Sequence, residues 1–289
     1  MDKLFAPQSF FAQDFLFQKS LKPVKLGVIA GAGDLPVILT QEAKRMGRQA
    51  IVISITRDAD ERLNSLTPEF YQISVGQVKK IINTLGETDA RELVIIGKVS
   101  KDILFKPMQL DTKAIRILSK LKDKSDSSIF EAIAAEIESA GIELIDQRTY
   151  LKKLLPQKGV MTKRKPSKEQ WRDIEYGMDL ARKIAELGIG QTVVVRDQIP
   201  LAIEAIEGTD EAIRRGGKLC SKGGVVVAKA ARQNQDFRFD VPAIGTNTID
   251  ILVESGAVVL AIESEKAFLL DAEETIQKAN KAKISLVVV

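Results

Sequence analysis

Short apolar runs alternate with amphipathic stretches along the chain, and this alternation predicts α/β architecture. From Val24 the pattern gives a strand to Ala30, a helix from Pro36 to Met46 closed by Gly47, and strands from Ala50 to Ile55 and Tyr71 to Val75. A helix from Gln77 to Leu85 before Gly86 and a strand from Glu92 to Ile96 follow. Helices from Thr112 to Leu121 and from Ser128 to Ala140, the latter capped near Asp126, lead to a short strand from Ile142 to Ile145. Further on, Ser167 caps a long helix reaching Leu187, and strands from Thr192 to Arg196 and Leu201 to Ile206 join at Asp197-Gln198 as a hairpin. Strands from Val225 to Lys229 and Val258 to Ile262, a helix from Ala272 to Ala282, and a last strand from Ile284 to Val289 complete the pattern.

Pro156-Gln-Lys-Gly159 and Lys163-Arg-Lys-Pro166 interrupt this alternation with polar and basic residues, which reads as a solvated linker over 156–166. The expected division is a domain over 24–155 and a second α/β domain over 167–289. Residues 1–23 form a separate extension, in which Phe5, Phe10, Phe11, Phe15 and Phe17 supply five of the 11 phenylalanines. Docking on the protein itself or on a partner subunit, contact with a membrane surface, and an unfolded start are the readings open for it.

Candidate chemistry sits at the strand ends. Gly31-Ala-Gly33-Asp34-Leu-Pro36 follows the first strand and opens a helix that Asp34 can cap, a loop suited to a phosphate or nucleotide edge. It departs from the dinucleotide fingerprint, with Pro36 where a third glycine belongs and Ile55-Thr56-Arg57 where an acidic residue would end the second strand. A nicotinamide-dependent oxidoreductase is therefore disfavoured, and a purely structural turn stays open. Lys98, in Gly97-Lys-Val-Ser100 after the fourth strand, is either a phosphate contact or an ordinary surface lysine. Glu207-Gly208-Thr209-Asp210 lies between a strand and a helix, where Thr209 or Asp210 can cap the helix and its amides can face an anion.

The densest cluster is Lys229 to Thr248, KAARQNQDFRFDVPAIGTNT, between two apolar segments. Thr246 is positioned to cap a helix from Asn247 to Glu254, which places Gly245 and Thr248 at its start. Asp236, Arg238 and Asp240 are spaced by two, so an extended backbone would project them to one side. Such a triplet is either a phosphate and hard-cation site or a structural ion-pair ladder.

Composition narrows the chemistry. The chain has 289 residues, 45% of them hydrophobic, ample for two cores. With 43 Lys+Arg against 39 Asp+Glu, the net charge of +4 is too small and too evenly mixed to indicate nucleic acid. Cys220 is the single cysteine, so no internal disulfide can form, a reducing cytoplasm is the expected setting, and the thiol reads as inert. No run approaches the roughly 20 apolar residues of a membrane span, and no signal peptide is recognisable. Histidine is absent, which removes Ser-His and Cys-His catalysis and imidazole metal ligands.

Taken in order, Gly31-Ala-Gly33-Asp-Leu-Pro36, Glu207-Gly-Thr-Asp210 and Gln235-Asp-Phe-Arg238-Phe-Asp240-Val-Pro242-Ala-Ile-Gly245 resemble the LpxI-type UDP-2,3-diacylglucosamine pyrophosphatases from Val24 onward. The resemblance implies a Rossmann-like N-terminal domain, a distinct C-terminal domain and a ligand in the cleft between them. It also implies Mg²⁺-dependent hydrolysis of UDP-2,3-diacylglucosamine to UMP and 2,3-diacylglucosamine 1-phosphate (lipid X), a step of lipid A synthesis. The family's catalytic aspartate carries over to Asp240, which would also serve the metal, with Arg238 and Asp236 at neighbouring motif positions. Gly31, Gly33, Asp34, Lys98, Glu207, Thr209, Asp210, Lys229, Gly245 and Thr248 are the expected substrate contacts. Relatives often carry Lys-Pro shortly before Gln-Asp, where this chain has Arg232-Gln233. The lack of histidine sets this route apart from metallophosphoesterase-type enzymes for the same step. The expected protein is cytoplasmic, transiently at the inner-membrane surface, and a homodimer. The alternative is a non-catalytic nucleotide-sugar or lipid sensor.

Overall fold

The computed structural model describes residues 24–56, 60–99, 110–121, 123 and 126–289. The Phe-rich extension over 1–23, Arg57 and Ser100 lie outside the described residues.

The first half is built on five parallel strands, β1 (Lys25–Ala30), β2 (Gln49–Ser54), β3 (Phe70–Gln72), β4 (Glu92–Ile96) and β5 (Glu143–Leu144), in the order β3-β2-β1-β4-β5. Because both faces of this sheet are covered, its central strands are apolar almost throughout. Leu26, Val28 and Ala30 of β1 face helices α1 (Leu35–Arg45) and α2 (Arg62–Leu66). Ile29 instead joins the core under α3 (Val78–Glu87), α4 (Thr112–Lys120) and α5 (Asp126–Ser139). The pattern missed the short α2, and Gly86 lies inside α3 instead of closing it. The strand order reverses between β1 and β4, so the loops after these two strands flank the crevice where open parallel sheets usually bind ligands.

The second half forms a six-stranded mixed sheet in the order β6-β13-β11-β9-β7-β8. Its strands are β6 (Gly159–Val160), β7 (Thr192–Arg196), β8 (Ile199–Ile203), β9 (Val225–Lys229), β11 (Ala257–Ile262) and β13 (Ser285–Val288). β9, β11 and β13 are parallel neighbours, while β7 and β6 run antiparallel beside them. The long α6 (Lys168–Glu186) covers one face, and α7 (Thr209–Leu219), α8 (Thr246–Glu254) and α9 (Ala272–Lys281) cover the other. Ser167 caps α6 as expected, its hydroxyl accepting from the Gln170 amide while Gln170 Oε1 accepts from the Ser167 amide. The hairpin turn at Asp197 and Gln198 has φ values of 51° and 58°, and both amides donate to the buried carboxylate of Asp173.

The stretch 156–166, expected to be a solvated linker, is stitched along the outer edge of β13. β6 pairs with β13, Met161 donates to the Leu286 carbonyl at 2.9 Å, and the buried Thr162 hydroxyl accepts from the Leu286 amide at 3.0 Å. An open strand edge is covered this way, which basic composition alone did not reveal. The halves also share a core. Val241 and Phe268, the latter in β12 (Phe268–Leu269) paired with β10 (Ala243–Ile244), pack among the residues between β1 and α1. Among the described residues, no helix is long and apolar enough to cross a membrane.

Candidate functional site

A cavity of about 280 Å³ opens where the strand ends of the two halves face each other. Lys98, just past β4, forms one wall; Glu207 to Asp210 at the start of α7, Lys229 at the end of β9, and Ala243, Ile244 and Thr248 complete it. The first turns of α7 and α8 therefore both line one space, and each helix N-terminus carries partial positive charge and unsatisfied amides. The capping residues differ from expectation. Gly208, with φ +85°, is the N-cap of α7, so Thr209 and Asp210 fall in the first turn. Gly245, not Thr246, caps α8, and the Thr248 hydroxyl accepts from the Gly245 amide at 3.4 Å.

Lys229 is the charged centre of this cavity. Its ammonium donates to Thr209 Oγ1 at 2.7 Å, Thr209 in turn donates to Glu204 Oε1 at 3.0 Å, and Glu204 Oε2 accepts from the Gln191 amide. The Thr192 hydroxyl lies 3.3 Å from that of Thr209, directly beneath. Burial pushes the Lys229 pKa below the ordinary lysine value, opposed by the negative charges of Glu204, Asp240 and Asp210. The ammonium's bond thus goes to a neutral hydroxyl, and carboxylates act on it through space. Glu207 is otherwise engaged: it pairs with Arg215 at 2.5 Å, which lowers its pKa.

The Asp236 to Asp240 segment is not extended. The amides of Phe239 and Asp240 both donate to the Asp236 carbonyl, closing a turn, and Asp236 Oδ1 accepts from the Arg238 amide. The Asp236 carboxylate grips the Arg238 guanidinium at 2.8 to 3.2 Å, and Arg238 reaches Glu138 of α5 at 2.8 Å. The Arg238 hydrogen bond holds Asp236 below the usual carboxylate range, and Asp236 raises Arg238. Arginine does sit between two carboxylates, but the second is Glu138. Asp240 is exposed beyond the pair, with its charge felt by Lys229.

Two family models cover this chain: residues 25–154 match the LpxI N-terminal domain and residues 157–287 match the LpxI C-terminal domain. The chain belongs to the LpxI family. A curated relative, UDP-2,3-diacylglucosamine pyrophosphatase LpxI of Caulobacter vibrioides, is 30% identical over 266 residues, spanning 89% of this chain and 94% of the relative. Among solved structures, the biotin carboxylase domain of a thermophilic 2-oxoglutarate carboxylase is 12% identical with a TM-score of 0.27. The match covers 69% of this chain and 33% of that one. N5-carboxyaminoimidazole synthetase from Staphylococcus aureus is 18% identical with a TM-score of 0.24, covering 64% of this chain and 41% of that one. The chain thus spans well under half of these solved chains, and they do not bear on the site.

Within this LpxI chain, six of the expected contacts line the cavity: Lys98, Glu207, Thr209, Asp210, Lys229 and Thr248. Gly31 lies behind Lys98, where it has a packing role. Its amide donates to the Ile96 carbonyl, Ala32 and Lys98 exchange backbone hydrogen bonds, and a Cβ on Gly31 would stand 2.5 Å from the Lys98 carbonyl oxygen. The amides of residues 31 and 32 are thus committed to the chain itself. Gly33 has φ +100°, a conformation that favours glycine. Asp34 occupies the N-cap position of α1 without a side-chain capping bond and pairs with Arg62 instead. Arg232 Nε is buried without a hydrogen-bond partner among the described residues, and the Arg232 guanidinium lies near Gly188, just past α6.

Gly31→Ala tests the interlock. Because the atoms in the way are backbone, we expect a loss of about 1–3 kcal/mol in urea unfolding, with weaker substrate binding through displacement of Lys98. Unchanged stability would mean that the loop yields freely.

Motif reading missed Glu204, Gln147 and Arg148. Glu204 supports Thr209 from the end of β8. Gln147 donates to the Phe239 carbonyl, and the Arg148 guanidinium lies 3.6 Å from the centre of the Phe237 ring. Among the described residues, no three potential metal ligands are grouped. Glu207 lines the cavity but is held by Arg215, and Glu204 is held by Thr209; Asp210 in the lining and Asp240, whose charge acts on Lys229, make a sparse set of hard donors. Such a set fits Mg²⁺, which keeps waters and takes substrate phosphates as ligands alongside one or two carboxylates.

Proposed function

We propose that this chain hydrolyses UDP-2,3-diacylglucosamine to UMP and 2,3-diacylglucosamine 1-phosphate, lipid X, as a Mg²⁺-dependent pyrophosphatase of lipid A synthesis. The observation carrying this reading is the cavity onto which Lys98, Lys229 and the first turns of α7 and α8 converge. A diphosphate needs cations and amide donors placed around it more than it needs a covalent partner, and histidine has no part in such a site. The substrate class comes from the Caulobacter relative, which is aligned with this chain over nearly its whole length.

In this reading the sheet of order β3-β2-β1-β4-β5 is a Rossmann-like frame, and the ligand lies in the cleft between domains over 24–155 and 167–289. Lys229 and the α7 amides hold the diphosphate, Lys98 closes it from the opposite side, and Thr248 contacts it from α8. Asp240 takes the proton of the attacking water, whose oxygen bonds to the phosphorus nearer the sugar as the bond to the UMP oxygen breaks. Asp240, with Asp210, would hold Mg²⁺, which supplies charge neutralisation on the diphosphate when bound. The protein works in the cytoplasm as a homodimer, touching the inner-membrane surface to collect its diacylated substrate. Incubation of the full chain with UDP-2,3-diacylglucosamine and Mg²⁺ should yield UMP and lipid X in equal amounts by mass spectrometry. Release of UDP, or no turnover, would contradict the assignment.

A further inference from the structure

We propose that Gln147 is a positioning residue, which holds the turn bearing Asp240 in register with the Lys98 end of β4. The inference rests on the hydrolytic reading of the cavity. Gln147 is 3% exposed and opens the short helical turn after β5, where the Asp146 carboxylate fixes the next amide at 2.8 Å. Its side-chain amide nitrogen donates to two carbonyls at 2.9 Å each: Ile95 in β4, and Phe239, the residue before Asp240. Its backbone amide donates to the Phe237 carbonyl at 3.2 Å. One buried residue therefore ties β4, which ends two residues before Lys98, to the turn that carries Asp240.

The other ties on this turn act elsewhere. Phe239 stacks on Phe130 with ring centres 4.5 Å apart, and Arg238 meets Glu138 at the half-exposed surface. These two contacts hold side chains. The Gln235 side chain, which donates to the Asp240 carbonyl at 3.0 Å, and the Asp236 bonds hold the turn's backbone from within the segment, whereas Gln147 holds it to β4. A primary amide of this length offers two N–H donors on one uncharged nitrogen. Methionine fills the same space with none, leaving both carbonyls buried without their donor. Small displacements of a reacting group lower the rate steeply without a matching loss of binding.

The test uses the full chain carrying Gln147→Met. We expect kcat for UMP release to fall by about tenfold to a hundredfold with KM changed by less than about threefold. Hydrogen–deuterium exchange should rise in residues 234–242 and stay unchanged in α6 and α7. Should that variant not fold, Gln147→Asn keeps both donors but is one methylene too short to span the two carbonyls, and should show the same pattern. A kcat within about twofold of the parent would overturn the proposal. So would faster exchange spread over the whole second sheet, since that is the mark of a merely structural residue. If the parent protein hydrolyses nothing, the functional reading fails, and the exchange measurement still decides whether Gln147 holds the turn.

Discussion

Asp240→Ala should lower kcat for UMP release by about 10²–10⁴-fold, the range for loss of a general base, while shifting the melting temperature by less than about 2 °C. The two expectations have separate causes. Asp240 is exposed, and the bonds that close the turn around it, from the Phe239 and Asp240 amides to the Asp236 carbonyl and within the Asp236–Arg238 pair, do not use its side chain, so they persist in the variant. Its charge nevertheless acts on Lys229 in the cavity wall, and the proposed reaction gives it the proton of the attacking water. Asp240→Asn should be equally slow, because the amide keeps the shape and loses the basicity. Full activity in either variant would remove Asp240 from the chemistry.

Lys229→Met should lower kcat/KM by about 10²–10³-fold, as expected for deleting one preorganised charge from an enclosed phosphoryl site. The same variant should be at least as stable as the parent at neutral pH. Burial depresses the Lys229 pKa below 10.5, so the folded state holds this proton less tightly than the unfolded chain does. Between the depressed value and 10.5 the unfolded chain binds more protons, and the parent therefore gains stability as pH rises through that window. The variant has no such gain, and its melting curves across alkaline pH should be flatter by that amount. A large loss of stability in Lys229→Met would show that the Thr209 and Glu204 network needs the ammonium for folding. The lysine would then be a structural tie.

Those two residues also mark how far sequence reading carries. Runs such as Val225–Lys229 and Thr192–Arg196 are buried on both faces, so their apolar character alone delimits them, and the strand ends that carry Lys98 and Lys229 follow directly. Thr209, Asp210 and Thr248 were legible because helix starts demand such residues, although glycines turned out to be the caps. The alternate spacing of Asp236, Arg238 and Asp240 misled for a physical reason. An aspartate can bond the amide two residues on, as Asp236 does to Arg238, and this local bond competes with an extended backbone. Gln147 was invisible because its partners lie 52 and 92 residues away, and Glu138 because it meets Arg238 across 100 residues. Such pairings depend on how the two halves are packed, which no local pattern encodes.

The most direct measurement of the central claim is a crystal structure of the Asp240→Ala protein with UDP-2,3-diacylglucosamine bound. The account predicts both phosphates in the cavity between Lys98 and Lys229, one of them against the first turn of α7. Phosphates bound instead in the larger cleft lined by Arg148, Lys152 and Ser264 would contradict it.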